Sequence, residues 1–306
     1  MKLEKINIAI AFDQNYLNQF YVLLESIFSN NINLLIDFHL IINENVGVSE
    51  IKKIESYISS NNSKLYRYYA NEQLISKFVI KGTWTPSVYY KIFFPILVPS
   101  SINKLLYIDT DTVVVNDLKE LFEIELGKYP LAAVYDNYVK KQSLIGIEEE
   151  GKYFNSGVLL FNLPVWRQQN NSEKVIKYLE TNPEKILFVD QCALNAVLID
   201  NWFPLDYKYN LIYSYVPKDV SSKELEAFMV NKVIIHFTLQ RPWMFLCENR
   251  LRVVYKKYFK KSPNTIGSYY VDFGVNKILK WLSIRLKDFY FDFKIFNVLW
   301  RKIKGI

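Results

Sequence analysis

The feature that most constrains this chain is a series of short apolar runs, several of which stop at a carboxylate. Residues 5–12 read Lys-Ile-Asn-Ile-Ala-Ile-Ala-Phe and end at Asp13. Residues 34–42 and 65–69 form two further runs. Residues 104–108 end at Asp109 and residues 131–135 at Asp136; residues 153–161 and 233–237 complete the set. Short continuous apolar runs bounded by polar residues read as buried strands. Between them, Phe20, Leu23, Leu24, Ile27 and Phe28 recur at helical spacing. Residues 49–60 read as a helix with Ser49 as its N-cap. Pro86 and Pro95 read as the start and end of a helix, and Pro164 fits the first turn of another running to about Glu180. Strands alternating with helices predict an α/β domain with a mainly parallel sheet. Ligands of open α/β sheets bind beyond the carboxyl ends of the strands. Asp13, Asp109 and Asp136 are therefore expected on one rim.

A length of 306 residues with 50% hydrophobic content suits one large domain, or one domain with an appendage. With only 9 Gly and 10 Pro, disorder is excluded as the main state. The two cysteines, Cys192 and Cys247, exclude a disulfide scaffold and point to a reducing compartment. The run from Ile6 to Phe12 is short, contains Asn7 and lacks a small-residue cleavage site, so no export signal is expected. No stretch reads as a transmembrane helix. The expected location is cytoplasmic.

The net charge of +7 is unevenly placed. Residues 1–240 hold 23 Lys+Arg and 27 Asp+Glu, a net of −4, while residues 241–306 hold 15 and 4, a net of +11. A basic tail implies an anionic partner, with a solubilising surface as the alternative. A nucleic acid is not expected, because the basic charge is confined to the tail and no nucleic-acid-binding module is present.

Asp109-Thr-Asp111 is the only DxD in the chain. Carboxylates at i and i+2 beyond a strand can reach one hard cation. His236 ends the run at 233–237 on the same rim, and two carboxylates with an imidazole suit Mn²⁺ better than Mg²⁺. His39 lies within the second run, where a core or edge role is expected. No GxSxG elbow, phosphate loop or GxGxxG follows a strand, which argues against nucleophilic-serine hydrolysis and dinucleotide oxidoreduction.

Five segments resemble glycosyltransferase family 8, in particular its bacterial lipooligosaccharide galactosyl- and glucosyltransferases. They are Ala11-Phe-Asp13-Gln-Asn15-Tyr16, Tyr107-Ile-Asp109-Thr-Asp111, Tyr153-Phe-Asn155-Ser-Gly157, Asp190-Gln191, and His236 with Pro242-Trp243. The likeness spans about residues 5–245 in the family's order. It implies a GT-A fold, a single Rossmann-like mixed-sheet domain. That domain is expected over residues 1–262, and the tail's own pattern, not the resemblance, marks residues 263–306 as a basic helical appendage. The resemblance implies a UDP-hexose donor (glucose or galactose), Mn²⁺ or Mg²⁺, and transfer with retention to a saccharide acceptor of a cell-surface glycan. Asp109, Asp111 and His236 match the metal ligands, and Ala11, Asp13, Asn15 and Tyr16 the uridine pocket. Asp136, Asn155, Asp190 and Gln191 match positions around the transferred sugar. Lys91 stands where the family usually has Arg, and Arg241 supplies a cation near the diphosphate. Two departures stand out: Cys192 replaces the second Asp of an Asp-Gln-Asp, and the glycine that usually follows the metal-binding histidine is missing from His236-Phe-Thr-Leu-Gln-Arg241. A glycogenin-like self-glycosylating enzyme and a weakened donor-binding or membrane-surface protein are the alternatives.

The tail carries its own signal. Leu279, Leu282, Leu286, Phe289, Phe293, Phe296 and Trp300 recur at spacings of 3, 4, 3, 4, 3 and 4, with Lys280, Lys287, Lys294 and Arg301 along the flank. On a helix this is an apolar stripe beside a basic one, suited to an anionic membrane surface with Trp281 and Trp300 near the headgroups; the same 3-4 repeat is also the heptad signature of a coiled-coil or domain-packing seam, which is the alternative. The expectation is a peripheral enzyme on the inner face of a membrane, facing an oligosaccharide or lipid-linked acceptor.

Overall fold

A computed structural model describes residues 4–82, 84–263 and 268–293, together with positions 298 and 302. Phe296, Trp300, Lys294 and Arg301 of the stripe lie outside the described residues. Nine strands are found among those described: β1 Glu4–Phe12, β2 Leu34–Ile42, β3 Lys64–Tyr68, β4 Lys104–Ile108, β5 Thr112–Val114, β6 Leu131–Tyr135, β7 Phe154–Asn162, β8 Phe203–Leu205 and β9 Ile234–His236. Seven form one sheet in the order β3-β2-β1-β4-β7-β6-β8, and β5 pairs with β9 in a separate ribbon. The sheet is parallel except for β7, which runs against both β4 and β6. That reversal brings the start of β7 to the rim where β1, β4 and β6 end.

The strands alternate their side chains between two cores. In β1, Ala9 and Ala11 face a layer containing Tyr89, Phe94, Trp166 and Cys192. Ile8, Ile10 and Phe12 face Phe20, Leu23 and Leu24 of the Leu17–Asn30 helix. Both faces are covered, which explains the near-continuous apolar runs. A third cluster, with Val113, Ile235, Phe237, Trp243 and Tyr255, seats the ribbon.

Several local expectations are corrected. The second helix starts at Val48 with Gly47 as its N-cap, so Ser49 lies inside it. Pro95 opens the short Phe94–Leu97 helix rather than closing one, and a 3₁₀ turn over Pro86–Ile92 precedes it. Either position suits proline, whose missing N–H costs nothing in a first turn. The stretch after Pro164 is two helices, Leu163–Gln168 and Asn171–Thr181, broken where Asn170 adopts φ 52°.

Within the tail, Ile278–Asp292 is helical. Its inner face is pinned to the body: Asp288 pairs with Arg250 and Arg252, and Asp292 accepts from Ser222 and pairs with Arg250. Trp281 stacks on Phe245, with ring centroids 5.7 Å apart and planes at 4°. Trp281 is thus a packing residue facing the body, not a headgroup anchor. The outward face exposes Leu279, Leu282, Leu286 and Phe289 by 82%, 44%, 66% and 60%. No helix among the described residues is long and apolar enough to cross a membrane.

Candidate active site

The rim is assembled by backbone bonds before any side chain acts. Asp109 N–H donates to Gly157 O at 2.8 Å, tying the end of β4 to the start of β7. Phe237 N–H donates to Asp111 O at 2.8 Å, and Thr112 pairs in register with His236. Two segments distant in sequence therefore hold Asp109, Asp111 and His236 together, with one ligand atom from each within 4.8 Å of the others. His236 Nε2 lies 3.1 Å from Asp111 Oδ1. Gly157 explains how the imidazole fits: a β-carbon there would lie 2.1 Å from His236 Cε1.

The electrostatics are those of confined like charges. Burial raises the Asp109 carboxyl pKa and the neighbouring Asp111 adds to the rise, against the pull of Lys91. Burial also disfavours ionised Asp111, but His236 and then Arg241 outweigh it and hold that carboxyl at about 2. Burial would lower the His236 pKa, yet Asp111 and Asp109 raise it. Two carboxylates and an imidazole whose far nitrogen is already hydrogen-bonded make a donor set that fits a divalent cation.

Lys91, 2% exposed, is an internal brace. Its Nζ lies 3.2 Å from Asp109 Oδ1, 3.0 Å from Asp190 Oδ2 and 3.1 Å from Ser156 O. A compact ammonium can serve three separate acceptors in this way, whereas a planar guanidinium would demand paired ones. Tyr107 OH donates to Asp109 Oδ1 at 2.5 Å.

Beside this cluster lies a carboxamide network. Asp136 Oδ2 accepts from Asn155 Nδ2 and from Gln191 Nε2, both at 3.1 Å. Gln191 Oε1 accepts from Ser156 N–H at 3.0 Å, and Asp190 Oδ2 accepts from Ser156 Oγ at 2.7 Å. Asp190 and Gln191 open the Val189–Val197 helix directly after Val189, which takes φ 35°. That backbone is costly for a β-branched residue, and strain of this kind collects where side chains must be aimed. Asn195 fastens the helix to β7 by bonding both the N–H and the C=O of Phe154 at 2.8 Å.

The residues expected around a nucleobase fall at the end of β1. Asp13 Oδ1 accepts from Asn15 N–H at 2.8 Å and caps the turn Gln14–Tyr16, while Ser87 Oγ donates to Asp13 Oδ2 at 3.2 Å. Ala11 is buried in β1 and Asn15 is exposed. Tyr16 meets Trp243 edge-on at 6.3 Å, and the Arg241 guanidinium lies 5.9 Å from the Tyr16 ring centroid. Burial and then Asp111 push the Tyr16 hydroxyl up to about 12. Arg241 thus lies on the same side as the acidic pair. Cys192 points away from the rim into the core, fully buried, with Sγ 3.4 Å from Tyr153 OH. Leu239 adopts φ 63°, the left-handed conformation that glycine takes freely. All thirteen expected site residues lie along the one rim or directly behind it. Sequence reasoning missed Ser87, Asn195 and Asn210, which carry no motif of their own and are recognisable only by partners distant in sequence, and it met Ser156 only as a filler within the matched segment 153–157.

A mixed sheet with this strand order and an acidic cluster at the carboxyl-end rim define the GT-A class of glycosyltransferases. The chain belongs to Glycosyl transferase family 8, whose profile matches residues 7–247. General stress protein A of Bacillus subtilis (strain 168) is 32% identical over 197 residues, covering 60% of this chain and 68% of that protein. Lipopolysaccharide 1,2-glucosyltransferase of Escherichia coli (strain K12) is 26% identical over 249 residues, 78% of this chain and 73% of that one. Glycosyltransferase GlyA of Streptococcus pneumoniae (serotype 4) is 30% identical over 265 residues, 86% of this chain but only 36% of that protein. Among solved structures, the galactosyltransferase LgtC in complex with donor and acceptor sugar analogues superposes with a TM-score of 0.73 at 19% identity, covering 90% of this chain and 100% of that one. The S. pneumoniae glycosyltransferase GlyE superposes with a TM-score of 0.63 at 22% identity, covering 91% of this chain and 63% of that one. These two share the fold.

Proposed function

We propose that this protein transfers a hexose, glucose or galactose, from a UDP-sugar to a saccharide acceptor of a cell-surface glycan, with retention at the anomeric carbon and with Mn²⁺ as cofactor. The observation that carries the reading is the convergence of Asp109, Asp111 and His236 within 4.8 Å at the rim. When bound, the cation supplies charge stabilisation at the departing diphosphate. Arg241 adds a second positive charge on that side, as electrostatic catalysis of leaving-group departure requires. Ala11, Asp13, Asn15 and Tyr16 frame the uridine. Asp136, Asn155, Asp190 and Gln191 hold the transferred sugar. Both ends of the Gln191 amide are engaged, which suits an oriented dipole beside the reacting carbon better than a covalent nucleophile.

The test is a screen of UDP-glucose, UDP-galactose and their N-acetyl forms, reading UDP release with Mn²⁺ and after chelation. Proton NMR of the product then reads its anomeric configuration. Release of UDP from one hexose donor, lost on chelation, with an α-configured product supports the reading. No release from any of the four, or release indifferent to chelator, overturns it.

We propose further that residues 1–262 form the catalytic unit and 263–306 an appendage that binds the anionic surface of a membrane, where a lipid-linked acceptor resides. Supporting this, the exposed apolar face of the Ile278–Asp292 helix is flanked by exposed Lys280 and Lys287, and residues 241–306 carry a net +11. Apolar area plus basic charge is what interfacial helices present to anionic lipid. Removing residues 275–306 is expected to abolish co-sedimentation with phosphatidylglycerol vesicles, and salt is expected to weaken the full-length protein's binding. Equal binding by both forms, or none at low salt, overturns the membrane assignment.

A further inference from the structure

We propose that Asn210 is a positioning residue: it sets the ring orientation and tautomer of His236 and couples that ring to the sugar-side amide of Asn155. The inference rests on His236 as a metal ligand and adds a residue that belongs to none of the motifs.

Asn210 is fully buried and follows the 3₁₀ turn Tyr207–Tyr209. Its backbone is fixed to the strand that carries the histidine, because Leu211 N–H donates to Ile234 O at 2.9 Å and His236 N–H donates to Leu211 O at 3.0 Å. Its side chain then reaches in two directions. Oδ1 lies 3.0 Å from His236 Nδ1, and Nδ2 donates to Asn155 Oδ1 at 2.9 Å. An amide oxygen only accepts, so Nδ1 is the donor; Nε2, 3.1 Å from Asp111 Oδ1, donates to that carboxylate while the ring is protonated and is the nitrogen left free for a cation once the ring is neutral.

The amide cannot turn over. Asn155 Oδ1 also accepts from Gly157 N–H at 3.0 Å, and Asn155 Nδ2 is committed to Asp136 Oδ2. Flipping Asn210 would set its oxygen against the Asn155 oxygen and its NH₂ against the protonated Nδ1. The donors and acceptors therefore have one consistent direction from Asp136 through Asn155 and Asn210 to His236. Gly157 lets the ring pack directly against the β7 backbone, since a β-carbon there would lie 2.1 Å from His236 Cε1. Outer hydrogen bonds of this kind fix the tautomer of a ligating histidine, and losing one typically costs 10–100-fold in metal affinity.

The test uses protein labelled with ¹⁵N-histidine. The chain has two histidines, and a His39→Gln variant separates their signals. Two-bond ¹H–¹⁵N spectra of the metal-free protein, recorded at alkaline pH where the ring is neutral, report the tautomer, and electron paramagnetic resonance of free Mn²⁺ reports affinity. Wild type is expected to keep its proton on Nδ1 when the ring becomes neutral. Asn210→Ala and Asn210→Ser are expected to introduce the Nε2–H form and to weaken Mn²⁺ binding about tenfold; the serine variant carries the test if the alanine variant does not fold. Asn155→Ala, which frees the Asn210 amide to turn, is expected to mix the tautomers as well. A wild-type tautomer and wild-type affinity in both Asn210 variants would overturn the proposal. If wild type fails to bind Mn²⁺ at all, the metal reading falls, and the tautomer spectra alone decide the role of Asn210.

Discussion

Gly157 and His236 share a space that admits only one of two things, a β-carbon or an imidazole. A Cβ on Gly157 would sit 2.1 Å from Cε1, 2.7 Å from Nδ1 and 2.9 Å from Nε2 of His236. Gly157→Ala is therefore expected to push the ring off its position. Overpacking of this kind costs about 1–3 kcal/mol. A thermal melt should show that loss, and Mn²⁺-dependent UDP release should fall at least about tenfold. A melt and a rate both equal to wild type would mean that the ring relocates freely.

Asp109→Asn and Asp111→Asn remove a charge where like charges are crowded. The fold is expected to survive, since backbone bonds tie the rim together and the buried Lys91 keeps Asp190 as its partner. UDP release is expected to drop by about 100-fold or more, because electrostatic stabilisation by a bound cation is worth several kcal/mol. Near-normal turnover in both variants excludes Asp109 and Asp111 as ligands.

Cys192 replaces a carboxylate of the family pattern, yet it lies in the core against Tyr153. Cys192→Asp is expected to lower stability by a few kcal/mol, as unpaired buried charges do. Denaturant unfolding measures it. An unchanged midpoint would show that the position reaches solvent.

Leu239→Gly is expected to stabilise the protein. Leu239 pays for its left-handed backbone about 1–2 kcal/mol, and glycine gives back about 0.5–1 kcal/mol through its greater unfolded freedom. The side chain is 63% exposed, so little burial is lost. The expected net gain lies between about 0 and 1.5 kcal/mol, read as a raised melting temperature.

His39 gives the stability a pH dependence independent of catalysis. The ring is buried, with Nδ1 2.9 Å from Tyr68 OH and Nε2 3.2 Å from Asn7 Oδ1. Burial lowers its pKa from 6.5 to about 4, against the pull of Asp37. The unfolded chain takes up this proton first, so the contribution is complete above pH 6.5 and shrinks as pH falls towards 4. Its size is about 3 kcal/mol. Unfolding free energies of wild type and His39→Gln between pH 7 and 4 should differ by this slope. Parallel curves would place the titration elsewhere.

Much of this was legible in the sequence. The runs ending at Asp13, Asp109 and Asp136 are β1, β4 and β6, and all three end at one rim because buried strands declare themselves by composition. The reversal of β7 was not legible, since residues 154–162 read the same in either direction. The β5–β9 ribbon was missed as a second sheet because three-residue strands carry no periodicity. Cys192 illustrates a different limit. Comparison with the family marks it as a departure, but only the packing of the Val189–Val197 helix shows that it faces the core. Asn210 illustrates the last limit: a lone asparagine after a tyrosine turn has no pattern, and its importance lies wholly in what β9 brings to it.

The ribbon also sets a timetable. Thr112 and His236 are paired, yet a ribosome adding about 5–20 residues per second delivers the second roughly 6–25 s after the first. Throughout that interval β5 offers Val113 and Val114 on an open edge, a template for pairing with another chain. A nascent chain interrupted before residue 234 would keep that edge and would lack the histidine, so it should be recovered in aggregates rather than as a weakened enzyme. Once β9 arrives, any ligand gripping Asp111 and His236 together binds only the closed form. Such a ligand adds to the stability of the finished protein by mass action, and it can do nothing for the unfinished one.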